Sequence, residues 1–108
     1  MPATFVTVDS IEALDALFEE SHHGPIVLFK HSNTCGISAD IIEQVGDVDA
    51  DVNVIVVQLH RSISNAVEER TGHRHQSPQV FVIKDGKAVY HATHYGITAN
   101  GIEAGLQS

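Results

Sequence analysis

The sequence predicts one α/β domain, a mixed central β-sheet flanked by helices on both faces. Three observations predict it. Apolar, β-rich runs recur at residues 4–8, 25–31, 52–59 and 80–83, and stretches with helical spacing of apolar residues separate them. The last of these runs is followed at once by Asp85-Gly86, a two-residue hairpin signal, so the final strand pair is antiparallel. A length of 108 residues with 43% hydrophobic content suits one core, so residues 1–108 are read as a single domain.

Each element has its own signal. Residues 4–8 alternate and form the first strand. Asp9 and Ser10 offer N-cap oxygens, and Asp9 with Glu12 resembles a capping box. Ile11, Leu14, Leu17 and Phe18 make the apolar stripe of the first helix, which ends over Ser21 to Gly24 before Pro25. Residues 25–31 contain the contiguous run Ile26-Val27-Leu28-Phe29, expected of a central strand covered on both faces. Ile37, Ile41, Ile42 and Val45 then give a helix to about Val45, followed by an acidic loop over residues 46–51 and a third strand over 52–59. Ser62 is the expected cap of the next helix, with Ile63, Ala66 and Val67 inward and Gly72 as its stop. Residues 80–83 and 87–94 form the terminal hairpin, and a short helix after Thr98 carries Ile102 and Leu106.

The chemistry of the chain centres on Cys35, the only cysteine, where the second strand hands over to a helix. Free backbone N–H groups and the positive end of the helix dipole at such a place stabilise a thiolate over a thiol. Two readings of Cys35 stay open on these grounds: a small buried hydrophobe, or an exposed nucleophile among Ser32, Asn33, Thr34 and Gly36. The C-terminal end of a strand in an open α/β sheet is where such folds place their sites. Composition narrows the partners. A formal net charge of −8 argues against nucleic acid or an anionic membrane. One cysteine makes no internal disulfide and no structural thiolate zinc site. No apolar run reaches transmembrane length and no charged-then-apolar leader opens the chain, so the expected location is cytoplasmic.

The stretch Phe29-Lys30-His31-Ser32-Asn33-Thr34-Cys35-Gly36-Ile37-Ser38-Ala39 is similar to the active-site segment of the YtxJ-like monothiol bacilliredoxins, within the thioredoxin-like superfamily. Ser77-Pro78-Gln79-Val80-Phe81-Val82-Ile83-Lys84-Asp85-Gly86, with His91, His94, Tyr95, Ile97 and Thr98, resembles the second half of the same family. The family commonly has proline directly after the cysteine, where this chain has Gly36. The resemblance implies a thioredoxin-like fold, a cis peptide before Pro78 and removal of bacillithiol from mixed disulfides with client proteins. Cys35 is then the catalytic nucleophile. Ser38 stands where a dithiol enzyme has its resolving cysteine, so a second low-molecular-weight thiol must regenerate Cys35. No tightly bound cofactor or metal is expected; bacillithiol is a co-substrate, and the chain is expected as a monomer or weak dimer.

Around the cysteine, Thr34, Gly36, Ser38, Ser77, Pro78 and Gln79 are the expected substrate-binding residues. Thr34 and Ser38 are candidate donors to the thiolate, with ordinary helix capping as the other reading. Lys30 and His31 alternate along a strand, so at most one of them lies on the cysteine's side. The backbone N–H of Gln79 is implied to pair with a bound thiol. The cluster His73-Arg74-His75 is a candidate for receiving the carboxylates of an acidic thiol, or a solvated loop. The eight histidines as a group read as surface polar residues, since no complete ligand set is spaced among them. Two other readings remain: a monothiol glutaredoxin-like protein that binds glutathione and an iron–sulfur cluster, because Cys35-Gly36-Ile37-Ser38 resembles that motif, and a non-catalytic interaction module on the same fold.

Overall fold

The computed structural model describes residues 3–34 and 36–107. Cys35 lies outside the described residues. Five strands, β1 (Thr4–Thr7), β2 (Ile26–His31), β3 (Asp51–Val56), β4 (Gln79–Lys84) and β5 (Lys87–Thr93), form one sheet in the order β1-β3-β2-β4-β5. β1, β3 and β2 run parallel, while β4 is antiparallel to both β2 and β5. The helices are α1 (Ile11–Glu20), α2 (Gly36–Gly46), α3 (Arg61–Thr71) and α4 (Ala99–Leu106), with a 3₁₀ turn at His94–Gly96. Among the described residues no helix is long and apolar enough to cross a membrane.

The alternation of side chains along the strands divides the interior into two layers. Val27 and Phe29 of β2 and Val80 and Val82 of β4 pack with Ile41 and Val45 of α2 and Ile102 of α4. Ile26 and Leu28 pack with Phe81, Ile83, Leu14 of α1, and Ile63 and Val67 of α3. β2 is thus covered on both faces and flanked on both edges, which explains its contiguous apolar run. Asp85 and Gly86 take φ values of 53° and 75°, the left-handed pair that a tight hairpin requires.

Three local expectations are corrected. Ser10, not Asp9, is the N-cap of α1, its Oγ accepting from the Ala13 N–H at 3.0 Å. α3 starts at Arg61 behind His60, two residues too early for Ser62 to cap it, and the His60 side chain makes no cap hydrogen bond. β3 stops at Val56 because the Leu59 and His60 amides turn back onto the Val56 carbonyl, both at 3.1 Å.

One core position is a lysine. Lys30 has no exposed surface and pairs in register with Ile55 of β3 and Gln79 of β4. Its Nζ lies 3.3 Å from His75 Nδ1. Burial pushes its pKa down from 10.5 to about 8, with Glu68 opposing the shift. A base with a depressed folded pKa leaves the unfolded chain holding more protons between the two values, so stability rises with pH there. Chemical denaturation across this range is expected to show the protein gaining up to about 3 kcal/mol above pH 8. Lys30→Met is expected to remove that gain; an unchanged slope in the variant would show that Lys30 does not titrate in the fold.

Candidate functional site

β2 ends at the edge of the sheet, and the backbone that follows loses its ladder partners. Side chains replace them. The Ser32 N–H donates to Ser38 Oγ at 3.1 Å, and the Asn33 N–H donates to Gln58 Oε1 at 3.3 Å. Gln58 Nε2 also donates to Thr34 Oγ1 at 2.8 Å and to Ser32 Oγ. One glutamine from the loop after β3 therefore holds three consecutive residues leading to position 35. Nothing in the local sequence pattern around Gln58 marks it, since its partners are more than twenty residues away and it precedes an unremarkable helix start.

Of the residues singled out in the sequence, Thr34 and Gly36 are exposed, and Gly36 opens α2. Among the described residues a Cβ at Gly36 would meet nothing beyond its chain neighbours within 4 Å. Ser38 is wholly buried, and its Oγ lies 2.8 Å from His31 Nδ1. His31 and Lys30 point to opposite faces of the sheet: His31 reaches Ser38 on the α2 side, Lys30 reaches His75 on the α3 side. Burial lowers the His31 pKa, so the ring is neutral near pH 7.

The second wall comes from β4 and the segment before it. The Ser77–Pro78 peptide is cis. Ser77 Oγ is buried without a hydrogen-bond partner among the described residues. The Pro78 carbonyl accepts from the His94 N–H at 3.0 Å, fixing the 3₁₀ turn to this wall. Gln79 is wholly buried, paired in register with Lys30 on one side and Thr93 on the other. Its side chain ties down the preceding segment: Oε1 accepts from the Gln76 N–H at 3.2 Å, and Nε2 donates to the Arg74 carbonyl at 2.9 Å.

The same Nε2 lies 2.9 Å from His91 Nε2. With the amide nitrogen donating, that ring nitrogen must be bare, which makes His91 a neutral Nδ1–H tautomer. Burial, then the nearby His73 and Lys30, push its pKa down in agreement. His73 stacks on His91 with centroids 4.0 Å apart, and His75 faces Lys30 and Ser64. Only Arg74 of the His73-Arg74-His75 cluster is exposed, so the solvated-loop reading fails for its two histidines. The reading of the histidines as surface residues likewise fails for His31, His73, His75 and His91, each partly buried and in contact with a ring or polar group. Among the described residues no group of three or more histidine, acidic or thiol side chains is placed to hold a metal ion.

The architecture is shared with solved proteins. A thioredoxin-fold protein provisionally described as an oxidoreductase superposes with a TM-score of 0.87 at 27% identity, covering 94% of this chain and 93% of its own. Thioredoxin of Fasciola hepatica gives 0.72 at 16% identity, covering 94% and 96% of the two chains. Thioredoxin from Nicotiana alata gives 0.68 at 17%, covering 96% and 89%. At such identities the two thioredoxins show the fold alone, and that fold is the thioredoxin fold. Residues 6–102 match the family described as monothiol bacilliredoxin BrxC. With a match that runs from the first strand into the last helix, the chain belongs to the monothiol bacilliredoxin family.

Proposed function

We propose that the protein removes bacillithiol from mixed disulfides on client proteins, with Cys35 as the nucleophile. Family membership and the fold make it a thiol oxidoreductase. Bacillithiol as the thiol rests on family membership; the observation that carries the nucleophile is positional. The sole cysteine directly precedes Gly36, the first residue of α2, at the end of a strand whose exit is held by Gln58 and Ser38. The first amides of a helix have no intrahelical acceptors, and their partial positive charge lowers a thiol pKa.

The cycle balances with one protein thiol. The Cys35 thiolate attacks the bacillithiol sulfur of the mixed disulfide. That S–S bond breaks, the client leaves as a thiolate that takes a proton from water, and a Cys35–bacillithiol disulfide forms. A second bacillithiol thiolate then attacks the adduct, giving bacillithiol disulfide and restoring Cys35. Ser38 has a hydroxyl where a resolving thiol would stand, so no intramolecular disulfide competes. Thr34, Gly36, Ser77, Pro78 and Gln79 line the approach in this reading. The setting is the reducing cytoplasm, with bacillithiolated clients and free bacillithiol as partners.

Mass spectrometry tests the proposal. Reduced protein is mixed with a model client carrying bacillithiol and, separately, with one carrying glutathione. Transfer of the bacillithiol mass to the wild type, and none to Cys35→Ser, is the expected outcome. Transfer of glutathione alone would overturn the bacillithiol assignment, and no transfer from either would overturn the nucleophile. Gln58→Ala is expected to slow transfer by about tenfold, since it removes the hydrogen bonds that fix residues 32–34. Its stability should fall by only about 1 kcal/mol, because the side chain is exposed. An unaltered rate in Gln58→Ala would show that the turn holds its shape without this side chain.

A further inference from the structure

Residues 73–76 form a strap between α3 and the wall at Ser77 and Pro78, and side chains rather than a ladder hold it to the sheet. Gln79 Nε2 donates to the Arg74 carbonyl at 2.9 Å, and Gln79 Oε1 accepts from the Gln76 N–H at 3.2 Å. The His75 N–H donates to Glu68 Oε1 at 2.8 Å. Two further contacts run through ring nitrogens that must be bare. His91 Nε2 lies 2.9 Å from Gln79 Nε2, and His75 Nδ1 lies 3.3 Å from Lys30 Nζ. An amide nitrogen and an ammonium have no lone pair to offer, so a proton on either ring nitrogen sets donor against donor. Neither conflict has a free remedy. Turning the Gln79 amide over would satisfy a protonated His91, but its NH2 would then face the Gln76 N–H and its oxygen the Arg74 carbonyl. Ser64 Oγ, also 3.3 Å from His75 Nδ1, is able to take a proton from that nitrogen. Lys30, with no exposed surface, would then lose its acceptor and stand beside a second cation.

We propose that the strap is an acid-operated latch: protonation of His75 and His91 releases residues 73–76 from the sheet while the rest of the domain stays folded. The strap lies outside the regular elements and no ladder of the sheet passes through it, so it is able to open alone. Ser77 and Pro78 follow it directly. Pro78 stays anchored, because its carbonyl accepts from the His94 N–H at 3.0 Å, and release frees the Ser77 side of that wall. The inference goes beyond thiol transfer and rests on no property of residue 35.

The groups that face the two rings set the direction. Lys30 from β2 and Arg61 from α3 oppose a proton on His75, and Glu68 from α3 favours it. His73 of the strap, stacked at 4.0 Å between centroids, and Lys30 oppose a proton on His91. The β4 neighbours of His91, Gln79 and Phe81, carry no charge. Burial acts first on both rings and lowers both pKa values. A released ring returns towards the ordinary histidine value of 6.5, so below it the released state binds more protons than the latched one. The latch is therefore at full strength above that value and weakens as pH falls through it.

Amide hydrogen exchange of the whole wild-type chain, followed by NMR between about pH 7.5 and 5, tests the latch. After correction for the intrinsic exchange rate, the His75 and Gln76 amides are expected to lose protection in acid by about tenfold per pH unit for each ring that titrates. The amides of Val27 and Phe29 in β2 should stay far better protected at every pH. Strap amides that exchange no faster than those of β2 would show that the segment opens only with the whole fold, which overturns the proposal. His91→Gln and His75→Asn each put an uncharged acceptor oxygen in place of the bare nitrogen. Each is expected to take about tenfold per unit out of the pH dependence, and the two together to abolish it. A double variant as acid-sensitive as the wild type assigns the response to other groups and also overturns the latch. The wild-type comparison decides by itself where a variant does not fold. Thiol transfer enters neither reading, so failure of the nucleophile assignment leaves both unchanged.

Discussion

The enclosure of β2 is the constraint on which the rest depends. Residues Ile26 to Lys30 are at most 6% exposed, walled by β3 and β4 at the edges and by helices on both faces. A backbone so placed satisfies its polar groups only through the ladder, and the ladder ends when the strand reaches the sheet edge. Beyond His31 the chain must turn and find new partners for its amides. It finds them in side chains, the Ser32 N–H in Ser38 and the Asn33 N–H in Gln58. The turn is therefore held by α2 on one side and by the loop after β3 on the other. The residue between that turn and the helix is the cysteine.

The opposite wall meets the same problem with a different solution. The segment 73–78 lies outside the regular elements and approaches β4 through a proline, which has no N–H to give. Gln79 supplies what the segment lacks, accepting from Gln76 and donating to Arg74 from inside the sheet. A hydrophobic residue at position 79 would pack, but it would leave those backbone groups without partners, a cost of about 1–3 kcal/mol for each one buried.

Much of this was legible in the sequence because the responsible interactions are local. The contiguous run from Ile26 to Phe29 announces a strand covered on both faces, and Asp85-Gly86 announces its hairpin by backbone conformation alone. Gly72, in the left-handed region at φ 75°, marks the end of α3 for the same reason. What was not legible depends on partners far along the chain. Gln58 is an ordinary polar residue until β3 and β2 lie side by side. Lys30 in an apolar strand looks like the strand's solvated end until α3 and the segment after it cover it with His75. The cluster His73-Arg74-His75 reads as basic surface because sequence carries no sign that Phe81 and His91 will draw its first ring inward.

The two polar groups on either side of β2 are built from the same residue types but answer protons differently. On the α3 side, His91 accepts from Gln79 through a bare nitrogen, so a proton there sets donor against donor and breaks the tie to residues 74–76. On the α2 side, a proton on His31 Nδ1 still points at an oxygen with a lone pair to receive it, so the contact with Ser38 survives and its charge adds to the field at the helix start. Burial lowers the pKa of both rings, which keeps both neutral at neutral pH. The difference lies in what each nitrogen faces. An amide nitrogen allows His91 one state, and a hydroxyl allows His31 two.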